Sequence, residues 1–265
     1  MPSSEPFDLV LSYPQWQGSG RPENLRRGAL AAADVCRNFG PLEQVPDAGD
    51  GGPSGGINRW AAILAQFRSA QNILDQAQPR RVLTAGGDCA CDVAVIDYLR
   101  RQFDDLTVIW VDAHLDANTV ETSPSGNFHG MPVAAILGSA PAGLQPLLST
   151  PLSPSRFHYV SAHIGDDGDW AFQQHNALSW WDGDPPVSGP AHIHFDLDAL
   201  DPAAFPHVSY PDGRLPIDEG ISLVRAVARS GNLVGLTITE FSPADNRGAK
   251  EGAKTIQRLC EAALS

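Results

Sequence analysis

Cysteine, basic side chains and long apolar runs are all scarce in this sequence. The four cysteines, Cys36, Cys89, Cys91 and Cys260, are too few and too scattered for a disulfide framework. No apolar run is long enough to span a bilayer, and residues 1–5 lack the basic-then-apolar layout of a signal peptide. We therefore expect a cytoplasmic protein that makes no membrane contact.

The shortage of basic residues excludes whole classes of partner. Lys and Arg number 18 against 31 Asp and Glu, which gives a formal net charge of -13. No basic block offsets this charge, so neither a nucleic acid nor an anionic membrane is an expected partner. We attribute part of the charge to aspartates that a bound metal would neutralise.

The order of predicted elements indicates a single α/β domain, residues 1–265, with enough apolar residues (42%) to bury a large core. Apolar runs predict strands at 7–12, 81–85, 107–111, 157–162, 192–197 and 233–239. Helical spacing of apolar residues predicts helices at 24–39, 57–77, 88–103, 130–137, 217–229 and 248–264, and residues 41–57 predict a mobile surface loop. This alternation favours a mostly parallel sheet with helices on both faces and a ligand site beyond the carboxyl ends of its strands.

Two acidic segments follow predicted strands. The first reads His-Phe-Asp-Leu-Asp-Ala-Leu-Asp-Pro and carries Asp196 and Asp198. The second reads Asp-Ala-His-Leu-Asp and carries Asp112, His114 and Asp116. Successive residues point to opposite faces of a strand and residues two apart to the same face, so the members of each set can share one target at the end of their strand. Such acids also occur in surface turns, but two sets at strand ends favour a metal ion that compensates buried carboxylates.

Three further points complete a constellation at this end of the sheet. Gly-Gly-Asp-Cys ends at Cys89, a Ser-Gly-Asn-Phe-His-Gly-Met-Pro string contains His129, and Glu240 ends the last predicted strand. With the acidic segments the named residues supply five carboxylates, two imidazoles and a thiol, enough for two metal ions. Two-metal sites hold their ions about 3.5–4 Å apart and activate a bridging water near neutral pH.

The order of these motifs gives the sequence a specific resemblance. Asp-Ala-His-x-Asp, Ser-Gly-Asn-x-His-Gly-x-Pro, Phe-Asp-x-Asp-x-x-Asp-Pro and a late Glu resemble the arginase (ureohydrolase) family from about Gly86 to the final helix. The resemblance implies a three-layer α/β/α domain with a central, mostly parallel sheet. It also implies a dimanganese centre and a manganese-dependent amidinohydrolase activity.

The same resemblance implies a function for each motif residue. Asp112 and Asp196 would bridge the two metals. Asp116 would complete the first metal site, and His114 and Asp198 the second. His129 would shuttle protons, Glu240 would pair with the substrate guanidinium, and these two with Asp116 form the predicted catalytic set. Hydrolysis of a guanidinium needs a nucleophile, a proton donor for the departing amine and a fixed anion, which the metal-bound hydroxide, His129 and Glu240 would supply.

One departure from the family concerns Cys89. The family usually has His at this position, as a ligand of the first metal. A Cys89 thiolate could replace it, because a helix N-terminus and a dication both depress a thiol pKa. The added negative charge would weaken the Lewis acid and shift preference from Mn²⁺ toward Fe²⁺, Co²⁺ or Zn²⁺. The alternative is a Cys89 that only packs, with a weak or empty first site.

The residues expected around the substrate tail favour an α-amino acid with a guanidine end. Arginine-specific members of the family hold the α groups with polar side chains, which Asn118, Ser125 and Asn127 match, and with an acid that Asp166 matches. The leading hypothesis is therefore hydrolysis of L-arginine to ornithine and urea.

Substrate, catalytic competence and assembly each leave an alternative. The Cys89 variant also resembles the branch of the family that hydrolyses Nω-hydroxy-L-arginine to hydroxyurea and ornithine. An impaired metal site would suit a non-catalytic arginine-binding regulator, although a binder has no need of His129 as a proton shuttle. Only Ser265 follows the last predicted helix, so we expect a monomer or a small homo-oligomer.

Overall fold

Parallel strands alternating with helices form the body of the protein. The computed structural model describes residues 6–181, 187–230 and 233–265; residues 1–5, where the sequence has no signal-peptide pattern, lie outside the described residues. The strands are β1 (Leu9–Tyr13), β2 (Leu42–Gln44), β3 (Val82–Gly86), β4 (Thr107–Val111), β5 (Phe157–Val160), β6 (Ser179–Trp180), β7 (Ala191–Asp196) and β8 (Leu233–Thr239). The helices are α1 (Leu25–Cys36), α2 (Trp60–Ala77), α3 (Asp92–Gln102), α4 (Pro132–Ala134), α5 (Asp167–His175), α6 (Ile217–Arg229) and α7 (Asn246–Ala262).

The eight strands form one sheet in the order β2-β1-β3-β8-β7-β4-β5-β6. Every neighbouring pair is parallel. The strands that precede the acidic and Gly-Gly-Asp-Cys motifs are β3, β8, β7 and β4, and they are adjacent at the centre of the sheet. The carboxyl ends of these four strands therefore meet along one edge.

Helices cover both faces of the sheet and give three layers. On one face, Phe67 of α2 and Tyr98 of α3 pack in a core that includes Trp110 of β4. On the other face, Val224 of α6 and Leu259 of α7 pack, together with α1, in a second core. Central strands are buried on both sides, which explains their nearly continuous apolar sequences. The predicted three-layer α/β/α fold with a parallel sheet is confirmed.

Short elements account for the differences from the sequence prediction. The predicted loop at 41–57 contains β2, an edge strand of three half-buried or exposed residues that pairs with β1. The elements α5 and β6 are absent from the prediction. The predicted helix at 130–137 begins at Pro132 and passes after Ala134 into a π-helical turn that extends to Ser139. These elements are too short or too polar to produce an apolar periodicity.

No helix in the described part of the chain is both long enough and apolar enough to cross a membrane.

The approach of α1 to the segment after β8 gives a stability prediction. A Cβ added at Gly28 would lie 1.6 Å from the Phe241 carbonyl oxygen, so the backbones must move apart to accept it. We expect Gly28→Ala to cost about 1–3 kcal/mol despite the better helix propensity of Ala. At about 2–4 °C per kcal/mol, the melting temperature should fall by several degrees.

The matched control for this prediction is Gly52→Ala, because a Cβ there meets nothing within 4 Å. It should change stability by less than about 0.5 kcal/mol. Thermal denaturation of both variants makes the comparison. Equal melting temperatures would contradict the close packing of α1 against this segment.

Candidate metal centre and active site

Four central strands deliver the polar residues of one buried site. Cys89 lies in the short helical turn Cys89–Cys91 that follows β3, and Asp112 directly follows β4. Asp196 is the last residue of β7, and Glu240 directly follows β8. All four side chains are nearly inaccessible to solvent. Folds of this kind bind ligands at the carboxyl edge of the parallel sheet, which is where this buried group lies.

Two local turns decide where the acidic side chains point. Asp196 Oδ1 accepts a hydrogen bond of 2.6 Å from the Asp198 N–H, and Asp112 Oδ1 accepts one of 2.7 Å from the His114 N–H. Each bond bends the backbone as soon as its strand ends, in the manner of an Asx turn. Residues two apart share a face within a strand, and these turns keep them directed at one site where the strand has ended.

The donor atoms fall into two clusters, in each of which all atoms lie within 4.8 Å of one another. The first cluster comprises Cys89, Asp112, His194 and Asp196, and the second comprises Asp112, His114 and Asp198. Asp112 belongs to both, as a carboxylate that bridges two ions would. Asp116 belongs to neither, and Asp196 belongs only to the first.

Contacts inside the clusters show how the side chains are oriented. The Cys89 thiol donates to Asp196 Oδ2 over 2.8 Å. His114 Nδ1 lies 3.1 Å from Asp198 Oδ2 and 3.4 Å from Asp112 Oδ1. His114 therefore directs Nδ1 into the second cluster.

Concentrated negative charge governs the electrostatics of the site. Burial first, and then the charge of Asp198, raises the pKa of Asp196 well above its usual range. Burial and neighbouring carboxylates act in the same direction on Asp116 and Glu240, and they raise the pKa of Asp198 to about 7. Asp116 Oδ2 and Glu240 Oε2 are buried without a hydrogen-bond partner. Cations would satisfy both the charge and the unpartnered oxygens, so the donor set fits a binuclear metal site.

The pKa of Cys89 differs from the sequence expectation. Burial, followed by the charge of Asp196, raises the pKa of this thiol well above the ordinary value. The one-turn helical segment that begins at Cys89 does not offset these effects. Cys89 is therefore a thiol donor to Asp196 unless a cation is bound beside it.

A cavity of about 250 Å³ opens onto the clusters. Its walls are formed by Cys89, His114, Asp116, His129, Gly130, Ile164, Gly165, Asp166, Asp169, Asp196, Asp198, Tyr210 and Glu240. His129 Nδ1 lies 3.9 Å from Glu240 Oε1. Burial, and after it the charge of His114, lowers the pKa of His129 to about 4, so its imidazole is neutral at pH 7.

Two cavity residues have left-handed backbone conformations. Asp116 has a φ of 49° and Glu240 a φ of 59°. Such angles are uncommon for residues with a side chain and are concentrated at functional sites. For Glu240, the backbone N–H donates to the Gly87 carbonyl, which ties the segment after β8 to the one after β3.

The predicted substrate-tail residues are only partly brought together. Asp166 lines the cavity, caps the N-terminus of α5, and accepts from Asn118 Nδ2 at 3.1 Å on each carboxylate oxygen. Asn127 Oδ1 accepts from Asn58 Nδ2, and Ser125 is exposed. Among the described residues that form the cavity wall, Asp166 is the one member of this predicted set. The other three, Asn118, Ser125 and Asn127, lie outside the wall.

The sequence interpretation missed a buried network behind the first cluster. Asp92 Oδ2 lies 2.8 Å from His192 Nε2 and 2.9 Å from His194 Nδ1, and its Oδ1 accepts from Thr237 Oγ1 at 2.6 Å. Burial alone would raise the pKa of Asp92, but the two imidazoles outweigh it and lower the pKa below its usual range. The signal in the sequence is the His-x-His spacing, which places both imidazoles on one face of β7. It is hidden within an apolar run.

Comparisons with known proteins agree with the geometry of the site. Residues 22–265 match the Arginase family. The arginase of Saccharomyces cerevisiae is 30% identical over 246 residues, which cover 79% of this chain and 73% of that protein. The structure of the Bacillus subtilis arginase superposes with a TM-score of 0.81 and 25% identity, covering 97% of this chain and 98% of that one. The arginase of Entamoeba histolytica, solved in complex with L-ornithine, gives a TM-score of 0.85 at 18% identity over 99% of both chains.

The fold is that of the arginase-like α/β proteins, and the site lies where the central strands of that fold end. With the family match over residues 22–265 and a relative at 30% identity, the chain belongs to the arginase family.

The crowding of carboxylates predicts how stability responds to metal and pH. In EDTA, the raised pKa values mean that the folded protein holds protons that the unfolded chain releases, so stability should fall as pH rises from about 5 to 8. Asp196→Asn removes one of these groups and should melt at a higher temperature than the wild type in EDTA at pH 8. Mn²⁺ should raise the wild-type melting temperature and raise that of the variant much less.

The control is Asp201→Asn, which changes an exposed aspartate of the same segment and should melt like the wild type in both conditions. Scanning fluorimetry at pH 5.5 and pH 8 makes these measurements. An Asp196→Asn variant that melts below the wild type in EDTA would contradict the electrostatic interpretation of the site.

Proposed function

We propose that the protein is a binuclear-metal amidinohydrolase that cleaves L-arginine to ornithine and urea. The observation that carries the proposal is the position of Asp112, shared by two donor clusters at the base of a cavity that also contains Glu240 and His129. Family membership supports the reaction class, because the relatives carry the name arginase, which denotes the hydrolysis of arginine. L-ornithine, the ligand in the Entamoeba structure, would be the amino-acid product.

The metals proposed for this centre are two Mn²⁺ ions. Cys89, Asp112 and Asp196 would bind the first ion, and Asp112, Asp196, His114 and Asp198 would hold the second. Asp116 has a buried, unpartnered oxygen on the cavity wall and is proposed to complete the first site. Two bound divalent cations would supply an acidified water able to attack the guanidinium carbon.

Charge supports a cationic substrate. The described residues that line the cavity include several carboxylates and neither Lys nor Arg. Glu240 presents a buried oxygen without a partner, and a guanidinium N–H is a suitable donor for it. Asp166, held by Asn118, would receive the α-amino group of the substrate. The two acids would fix the long axis of an arginine-sized molecule.

His129 is proposed to move the proton. Its imidazole is neutral at pH 7 and lies on the cavity wall beside Glu240. A neutral imidazole can accept a proton from the attacking water and return it to the departing amine. The ring of Tyr210, with its centroid 5.4 Å from that of His129, restricts where the imidazole can turn.

A second candidate substrate is Nω-hydroxy-L-arginine, which would give hydroxyurea and ornithine. The observation in its favour is Cys89 within the first cluster. A thiolate there would weaken the Lewis acid, and the hydroxylated guanidine has a less basic end than L-arginine, although the ornithine amine departs from both. It therefore demands less of the metal than L-arginine does.

Product release tests the proposal directly. The full chain loaded with Mn²⁺ should release urea from L-arginine, and His129→Asn should lower kcat about 100- to 10,000-fold while metal content stays the same. His175→Asn, a change at an exposed histidine at the end of α5, is the matched control and should retain wild-type turnover. Faster release of hydroxyurea from Nω-hydroxy-L-arginine would favour the second candidate. A fully metal-loaded protein that hydrolyses neither substrate would contradict both candidate activities, and it is the result expected of a non-catalytic regulator.

Substitution of Cys89 tests its proposed part in the metal site. Cys89→Ser should lose metal selectively from the first site, and the second should stay filled. Cys89→His removes a negative charge and strengthens the Lewis acid, so the ratio of L-arginine to Nω-hydroxy-L-arginine turnover should rise. Elemental analysis and product assays measure both effects. Cys91→Ser, at a buried cysteine outside both clusters, is the control; if Cys89→Ser also leaves metal content and activities unchanged, Cys89 only packs.

A further inference from the structure

We infer that His194 binds the first metal through Nε2 and supplies the imidazole that position 89 lacks, with Asp92 as its positioning residue. The inference rests on the proposed function in one respect, that the centre binds metal ions. It does not depend on which guanidine is the substrate.

The position of Nε2 carries the inference. A ring nitrogen of His194 belongs to the donor cluster with Cys89 and two aspartates. Nδ1 faces Asp92 at 2.9 Å, which leaves Nε2 for the cluster. Nε2 lies 3.4 Å from Thr239 Oγ1, and the Cys89 sulfur lies 3.9 Å from the same hydroxyl oxygen. The imidazole of β7 and the thiol after β3 therefore converge on the same place.

The His194 ring is held by two further contacts. It stacks on Trp110 with ring centroids 3.5 Å apart and an interplanar angle of 6°. The Trp110 indole N–H in turn donates to Asp112 Oδ2 at 3.0 Å. Asp92 accepts the Nδ1 proton, which fixes the tautomer with a lone pair on Nε2. A carboxylate behind an imidazole is the usual way that proteins orient a histidine ligand and increase its basicity.

His192 shows what a purely structural histidine looks like at this place. It lies two residues earlier on β7, is equally buried, and contacts the same Asp92 oxygen at 2.8 Å. It belongs to neither donor cluster, and its Nδ1 has no partner. The two histidines share the strand, the burial and the acid, and they differ in access to the cluster.

The donor set gives the first metal its own chemistry. Sulfur from Cys89, nitrogen from His194 and oxygen from Asp112 and Asp196 make a mixed set, whereas the second cluster offers one nitrogen and two carboxylates. Softer donors favour Co²⁺, Fe²⁺ or Zn²⁺ over Mn²⁺. The two sites should therefore differ in metal preference, with the softer ion in the first.

The test compares His194→Gln with the matched variant His192→Gln, using Co²⁺ as the probe on the full chain. After removal of metal with EDTA and reloading, the wild type and His192→Gln should hold two Co²⁺ per chain. His194→Gln should hold one, with the visible cobalt spectrum of the first site lost. Asp92→Asn should weaken Co²⁺ binding at that site about 10- to 100-fold.

Paramagnetic NMR of the Co²⁺-loaded wild type decides the matter without relying on the folding of a variant. Each ligating histidine contributes one strongly shifted ring N–H signal that disappears in D₂O. We expect two signals, one from His114 and one from His194. A single signal, or a folded His194→Gln that binds two Co²⁺ with wild-type affinity and spectrum, overturns this inference and leaves the proposed function standing. A wild type that binds no metal overturns both.

Discussion

The burial of many carboxylates in one small volume is the constraint on which the rest of this structure depends. Asp112, Asp116, Asp196, Asp198 and Glu240 are all nearly inaccessible to solvent. Their pKa values show the cost, since burial and mutual repulsion raise those of Asp116, Asp196, Asp198 and Glu240. Such a group of buried carboxylates is stable only where bound cations offset the free energy lost when the carboxylates are desolvated. The hydrophobic layers on both faces of the sheet provide the rigid frame that holds these charges together.

The proposed chemistry depends on the arrangement of unlike groups around that charge. Glu240, which has a buried Oε2 without a hydrogen-bond partner, lies beside His129, an imidazole kept neutral by burial. Neither group would keep these properties on the open surface, where water would solvate the acid and restore the basicity of the histidine. The left-handed backbone conformation of Glu240 costs free energy, and it sets the direction of this side chain.

The sequence predicts the fold and most of the residues that lie together in the candidate site, because both leave strong local patterns. Continuous apolar runs mark the buried strands, and the acids at their ends mark the ligand edge. The motif resemblance carried the family, which the comparisons confirm. His194 was hidden because its contribution depends on the register of β7 against β4, which places it over Trp110. Likewise, Asp92 lies inside the helix predicted at 88–103, and only the packing of α3 on β7 and β8 reveals that it holds two histidines and Thr237.

The place of β8 in the sheet has a consequence for how the protein is made. β8 lies between β3 and β7, although it is the last strand of the chain. Without β8, the other strands of this order can pair only as two half-sheets, β2-β1-β3 and β7-β4-β5-β6, each with an open edge at the future centre. Such edges invite pairing with other chains, and joining them late requires contacts between residues far apart in sequence. Insertion of β8 and closure of the proposed metal centre therefore coincide in one late step of folding.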